Sequence, residues 1–255
     1  MTLAISFRSE LVKSKRTSIW YLCVIAAVLA PIFSYLDSTS SYRIADLPND
    51  PWNMHLLGMG GRVFNMMVLP FFLMLICTLL AQLEYRNNTW KQVYVSPQSL
   101  LNVFLSKYLI VQLMLIGVFI LTLLLMVVSL FAVDQFETNL NLLEHQFDWK
   151  SFLIFYGRVY ITVLAISAFQ FWLGLRFKSF IVPLVVGISL FLAATMMMEE
   201  HPWVHDNKFP YIYPLRNCFP HRLSDKWIVL WGSLAYTAIF LVLGFLDFNR
   251  RRSTS

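Results

Sequence analysis

Val103–Val133 reads VFLSKYLIVQLMLIGVFILTLLLMVVSLFAV, and its one charged side chain is Lys107. The hydrocarbon core of a bilayer is about 30 Å thick and an α-helix rises about 1.5 Å per residue, so a crossing takes about 20 apolar residues. Periodicity does not separate helix from strand in a continuous apolar run. Length does, and this run is far too long for a barrel strand. It also exceeds one membrane thickness, so its start around Lys107 is expected to project from the bilayer or to tilt.

Outward from this run lie five more of the same kind, at about Ser18–Leu36, Val63–Leu83, Ser151–Leu175, Phe180–Met198 and Trp227–Leu246. The sequence therefore predicts an all-α polytopic membrane protein with six spans, organised as a single transmembrane domain over residues 1–255. Composition agrees. Hydrophobic residues make up 58% of the chain and charged residues 13%, against about 45–50% and about 25% in soluble domains. That balance excludes a water-soluble enzyme, a disordered chain and a nucleic-acid-binding protein. The 3 cysteines imply no disulfide framework. The first apolar run exceeds a signal-peptide core and has no small-x-small cleavage site before its polar flank, so it is expected to remain as a span.

Charge sets the expected orientation. One set of span ends carries Arg8, Lys13, Lys15, Arg16, Arg86, Lys91, Lys107, Arg176, Lys178 and Arg250–Arg252, opposed by Glu10, Glu84 and Asp247. The other set carries the remaining 8 basic residues and 11 acids of the 20 and 14 in the chain. With an even number of spans, both termini are expected in the cytoplasm. The acidic side holds the longer loops, about residues 37–62, 134–150 and 199–226.

Chemical motifs are missing. No glycine precedes a lysine, so there is no phosphate-cradling P-loop, and neither HExxH nor GxSxG occurs. Apart from Lys107 and Arg158 the spans hold no ionisable group of the kind that couples carriers to ions. No converging polar groups of the kind an intramembrane enzyme needs are visible. Arg158 is expected to snorkel outward or pair with an acid such as Asp148. His201, His205 and Asp206 lie close together, but Pro202 interrupts them and no third ligand has suitable spacing, so no metal is expected. Tyr211, Tyr213, Pro214 and Phe219 suit an extracytoplasmic cap packed on the helix ends. Pro31, Pro70 and Pro183 fall inside spans, where proline is common and hinge function is the minority reading. Cys23, Cys77 and Cys218 read as packing residues.

Two stretches next to the membrane carry more information. Residues 3–16 form a candidate interfacial helix in the cytoplasmic headgroup layer. Leu3, Phe7 and Leu11 share a face, while Lys13, Lys15 and Arg16 supply charge for lipid. After the second span comes Glu84-Tyr85-Arg86-Asn87-Asn88-Thr89-Trp90-Lys91-Gln92-Val93-Tyr94-Val95-Ser96-Pro97. Residues 90 and 94 share a helical face, and Pro97 ends or turns the segment. From the residues alone, an aromatic belt at the bilayer surface and a protein-docking helix both remain open.

An acidic residue closing the second span, then NNTWKQVYVSP, then a long third span, resembles the permease subunits of ABC-2 type ABC transporters. The nearest resemblance is to the six-span group associated with bacteriocin and antibiotic export or immunity. The opening FRSELVKSKRTSIW fits as well. The plan of six spans covers essentially the whole chain, and the motif covers about Glu84–Ser99. In that family a basic residue commonly follows the proline within two or three positions, whereas Gln98, Ser99 and Leu100 follow here.

The resemblance implies a subunit of an ATP-driven exporter in the bacterial inner membrane, with no catalysis of its own. It implies a separate ABC ATPase subunit that binds ATP and Mg2+, and a second permease, identical or paralogous. It implies that the segment at about 84–102 couples to the ATPase, with Glu84, Arg86, Thr89, Trp90 and Lys91 as candidates. The alternative is a non-transporting assembly or sensory subunit of a membrane complex. Apolar spans mildly favour a lipid-like, peptide or amphipathic cargo.

Overall fold

A computed structural model describes residues 3–15, 17–41, 52, 55, 56, 58–86, 98–138, 145–199, 208–218 and 226–252. They are helical almost throughout, with no strand among them. An N-terminal helix α1 (Leu3–Lys15) precedes α2 (Ile19–Ser41). A short α3 (Met59–Val63) runs through a wide π turn at Phe64–Val68 into α4 (Leu69–Arg86). Then come α5 (Leu100–Val133), α6 (Trp149–Arg176), α7 (Ile181–Glu199), a short α8 (Ile212–Asn217) and α9 (Lys226–Arg252). Six stretches are long and apolar enough to cross a membrane: Ile19–Asp37, Gly60–Arg86, Leu100–Phe136, Trp149–Arg176, Ile181–Met198 and Trp227–Arg250.

Local chemistry explains where these helices begin and turn. Ser99 caps α5 by accepting the Asn102 N–H on its hydroxyl at 3.3 Å. Asp148 caps α6 by accepting the N–H groups of Lys150 and Ser151 at 3.1 and 3.2 Å. That capping role, rather than a pairing with Arg158, is where its carboxylate is used. The Ser151 hydrogen bonds hold Asp148 below the usual carboxylate range. At the end of α1 the Ser14 carbonyl accepts from the Thr17 N–H, the Thr17 hydroxyl and the Trp20 indole, which turns the chain into α2. The π turn, in which the Leu69 N–H reaches back five residues to the Phe64 carbonyl, directly precedes Pro70, which has no N–H to offer the carbonyl four residues back.

The bundle is built around α6, which packs between α4 and α9, while α2 lies along α5 and α1 covers the start of α5. Glycine lets two of these helices touch backbone to backbone: a Cβ on Gly174 of α6 would stand 2.8 Å from the Cys77 carbonyl of α4. The second span is 61% buried over its apolar window and the sixth only 17%. The outer face of α9 is therefore apolar and uncovered by the other described residues, as hydrocarbon tails or another membrane helix require.

One end of the bundle collects α1, the ends of α4, α6 and α9, and the starts of α5 and α7. The bonds that gather them join Lys13 to Glu84, Gln82 to the Lys178 carbonyl, and Arg176 to Asp247. This is the basic end.

Residues 208–218 depart from the sequence expectation of a cap on the helix ends. The segment is inserted among the helices. Asn217 donates to the Thr162 hydroxyl at 2.8 Å, Asn65 to the Pro214 carbonyl at 2.9 Å, and Gln170 to the Tyr211 hydroxyl at 2.7 Å. Thr162 lies 13 residues from the start of α6, a depth of about 20 Å along the helix. Buried amide groups call for partners, and the inserted segment supplies acceptors for the amide nitrogens of Asn65 and Gln170. Phe219, expected in the same cap, lies outside the described residues, as do His201, His205 and Asp206.

Candidate functional site

At the basic end four charged side chains close a ring. The Lys107 ammonium donates to Glu84 Oε1 and to Glu10 Oε2, each at 2.7 Å. The Lys13 ammonium donates to Glu10 Oε1 at 2.8 Å and to Glu84 Oε1 at 3.0 Å. Charges thus alternate around the ring, Glu84–Lys107–Glu10–Lys13. It joins α1, the last turn of α4 and the second turn of α5. The Glu84 side chain is 3% exposed and that of Lys107 7%. Ser14, Leu80, Leu83 and Ile110 complete the walls of a cavity of about 20 Å3 at its centre, room for one water.

Lys107 is turned into the bundle and away from solvent. The N-terminal helix covers it, and two carboxylates neutralise it. For Lys13, burial acts to lower the ammonium's pKa, but Glu10 and Glu84 outweigh it and the net shift is upward.

The residues around the ring tie the same elements together. The Ser6 hydroxyl donates to Gln98 Oε1 at 2.9 Å. The Tyr85 hydroxyl donates to the Leu175 carbonyl, fixing the end of α4 to the end of α6. Glu84 and Gln98 flank the segment that sequence analysis singled out, so α1 touches the chain on both sides of it.

Of the sequence-derived candidates, Glu84 is inside the ring and turned away from solvent. Arg86 is exposed. Thr89, Trp90 and Lys91, with Arg16 of the N-terminal stretch, lie outside the described residues. Phe7 and Leu11 are half-buried and pack against the bundle core. Lys13 is half-exposed and Lys15 exposed. Helix α1 thus turns Ser6, Glu10 and Ser14 toward the bundle. It leaves Ile5, Val12, Arg8 and Lys15 outside, a rotation away from the face that Leu3, Phe7 and Leu11 define. The functional residues that sequence reasoning missed are Glu10, Ser6 and Gln98. The available signal was Lys107, a lone lysine in an apolar helix, which calls for an acidic partner.

Deeper in the bundle, polar groups converge that the sequence did not reveal. Ser167 of α6 meets the Tyr108 hydroxyl and the Gln112 amide of α5, each at 3.1 Å, and Tyr160 donates to Gln112 at 3.1 Å. These groups satisfy one another and include neither a carboxylate nor an imidazole. They bond α5 to α6 and make no acid–base or nucleophilic centre.

The structure is thus a multi-pass, all-helical bundle with a buried ring of four charges at its basic end. Comparison with known families places it further. The signature described as ABC-2 family transporter protein matches residues 6–194, from α1 through most of α7. The chain belongs to this family, the non-catalytic permease component of ABC exporters, which in general works with an ABC ATPase. No curated protein matches the chain.

Proposed function

We propose that this chain is the permease subunit of an ATP-driven exporter, that it forms the translocation path together with a second permease, and that it couples through residues 84–102 to a separate ATPase subunit. The observation that supports the coupling assignment is the buried ring at Glu84. A surface linker has no need of an anchor that costs the desolvation of two carboxylates and the Lys107 ammonium. A segment that must transmit force does need such an anchor, because a push on a loosely held loop is dissipated in the loop. Trp90, Lys91, Thr89 and Arg86 would meet the ATPase, while Glu84 would serve from inside as the root. ATP and Mg2+ belong to the partner.

In this reading both termini and the basic end face the cytoplasm of a bacterial cell, where Lys and Arg accumulate beside spans. Arg8 and Lys15, exposed on α1 beside Ile5 and Val12, would lie against anionic headgroups. The uncovered apolar face of α9 would meet lipid or the second permease.

The test replaces Trp90 and Lys91 together by alanine in the assembled exporter. The expected result is loss of ATPase co-purification and of transport-linked hydrolysis. Full association together with full transport would remove the assignment.

A further inference from the structure

The N-terminal helix touches the chain on either side of residues 87–97. At the near root, Lys13 donates to Glu84, and Glu10 binds the Lys107 that grips the same carboxylate. At the far root, Ser6 donates to Gln98. Ser6, Glu10 and Lys13 lie three and four residues apart, so they project from one side of α1. A helix is stiff over this length, so the separation of the two roots is set by α1 and by the start of α5.

We propose that α1 is a clamp that holds both roots of the segment at a fixed spacing, and that Glu10 and Lys107 are positioning residues for coupling. The inference rests on the reading of residues 84–102 as the ATPase-docking segment and adds which part of the chain sets its position. Lys107 reaches both carboxylates and Lys13 reaches both from the other side, so no charge in the ring has a like neighbour. Removing any one leaves the buried group with an uncompensated net charge, and reversing any one sets like charges side by side. Reversing Glu10 with Lys107 alone is no remedy, because it sets a new glutamate beside Glu84 and a new lysine beside Lys13. Reversing all four restores the alternation.

The experiment uses the full chain in nanodiscs with its ATPase; coupled hydrolysis is read with Ser6 and Gln98 intact, and a parallel set carries Ser6→Cys and Gln98→Cys as reporters that a short bis-methanethiosulfonate bridges. Two quantities are read: the rate of 6-to-98 bridging in the permease alone, and coupled ATP hydrolysis in the complex. In Glu10→Lys and in Lys107→Glu, bridging and coupled hydrolysis are expected to fall together by about tenfold, within the usual range of intersite coupling. The fourfold reversal (Glu10→Lys, Lys13→Glu, Glu84→Lys, Lys107→Glu) is expected to recover both, which also separates positioning from simple misfolding of the single variants. Wild-type bridging and wild-type coupling in the single variants would overturn the clamp. Loss in the single variants without recovery on the fourfold reversal would also overturn it. A permease whose bridging follows the ring, but which neither binds nor stimulates the ATPase in its wild-type form, would leave the clamp standing and refute the docking reading.

Discussion

The Lys107 ammonium meets Glu84 Oε1 at 2.7 Å across the α4–α5 boundary, with both side chains more than nine-tenths buried. The pair depends on α1, which supplies Glu10 and Lys13 to complete it. Removing one member of a buried, paired set typically costs roughly 3–5 kcal/mol, whereas removing both members by similarly shaped apolar groups is close to neutral. Lys107→Met is therefore expected to lower the melting temperature of the detergent-solubilised chain strongly. Adding Glu84→Leu and Glu10→Leu is expected to recover much of the loss. Equal melting of wild type and Lys107→Met would show that the ring contributes nothing to stability.

His55 supplies a pH dependence. It lies outside the spans, 2% exposed, with Nε2 at 2.8 Å from the Ser129 hydroxyl, and its own carbonyl accepts from Ser34. Burial pushes the imidazole down from 6.5 to about 4. The unfolded chain takes up the proton first, so stability falls as pH drops from about 6.5 toward 4 and the loss levels off below that. At about 1.4 kcal/mol per pKa unit the full loss is about 3 kcal/mol. His55→Asn is expected to flatten the melting temperature against pH over this window relative to wild type. Parallel wild-type and variant curves would dismiss the effect, since the carboxylates titrate in both.

Two glycines predict opposite outcomes. A Cβ on Gly174 meets the Cys77 carbonyl at 2.8 Å, whereas one on Gly117 meets nothing within 4 Å. Gly174→Ala forces α4 and α6 apart and is expected to cost about 1–3 kcal/mol. Gly117→Ala removes a flexible residue from a helix interior and is expected to be neutral or to stabilise by up to about 1 kcal/mol. Melting curves of the two variants decide. A Gly117→Ala variant that is stable alone but fails to assemble would place that face of α5 in an intersubunit contact.

The inserted segment is held by few bonds, and Tyr211 makes the deepest. Tyr211→Phe leaves the Gln170 amide without its 2.7 Å acceptor, a loss of about 1–3 kcal/mol for a buried donor. Cys218 sits in the same segment, 6% exposed, beside Asn65 at 3.3 Å. In a chain with Cys23 and Cys77 replaced, maleimide labelling of Cys218 is expected to accelerate in Tyr211→Phe. An unchanged labelling rate would mean that the segment is held by apolar packing alone.

The six crossings were legible because a bilayer converts length directly into structure, and each apolar run is long enough to cross without help. The ring was only half legible. Lys107 stood out as a charge in an apolar helix, but Glu10 lies 97 positions away in the sequence, and nothing local connects the two. The face that α1 turns to the bundle was only partly legible for the same reason: Phe7 and Leu11 do pack on the core, but nothing marked Glu10 beside them. Leu3, Phe7 and Leu11 form the apolar stripe by spacing, yet Glu10 must meet Lys107, and that contact turns the helix. Likewise Tyr211 and Pro214 read as cap residues, whereas the structure turns them inward, where they accept from the buried amides of Gln170 and Asn65.

The alternation at the basic end has an electrical consequence. Two carboxylates and two ammonium groups within hydrogen-bonding distance of one another sum to zero. A membrane potential pulls on a lone charge with about 2.3 kcal/mol per 100 mV, but on this quartet only through small differences in depth. A neutral joint of this kind feels little of the membrane potential, so polarising or discharging the bilayer is expected to leave it in place.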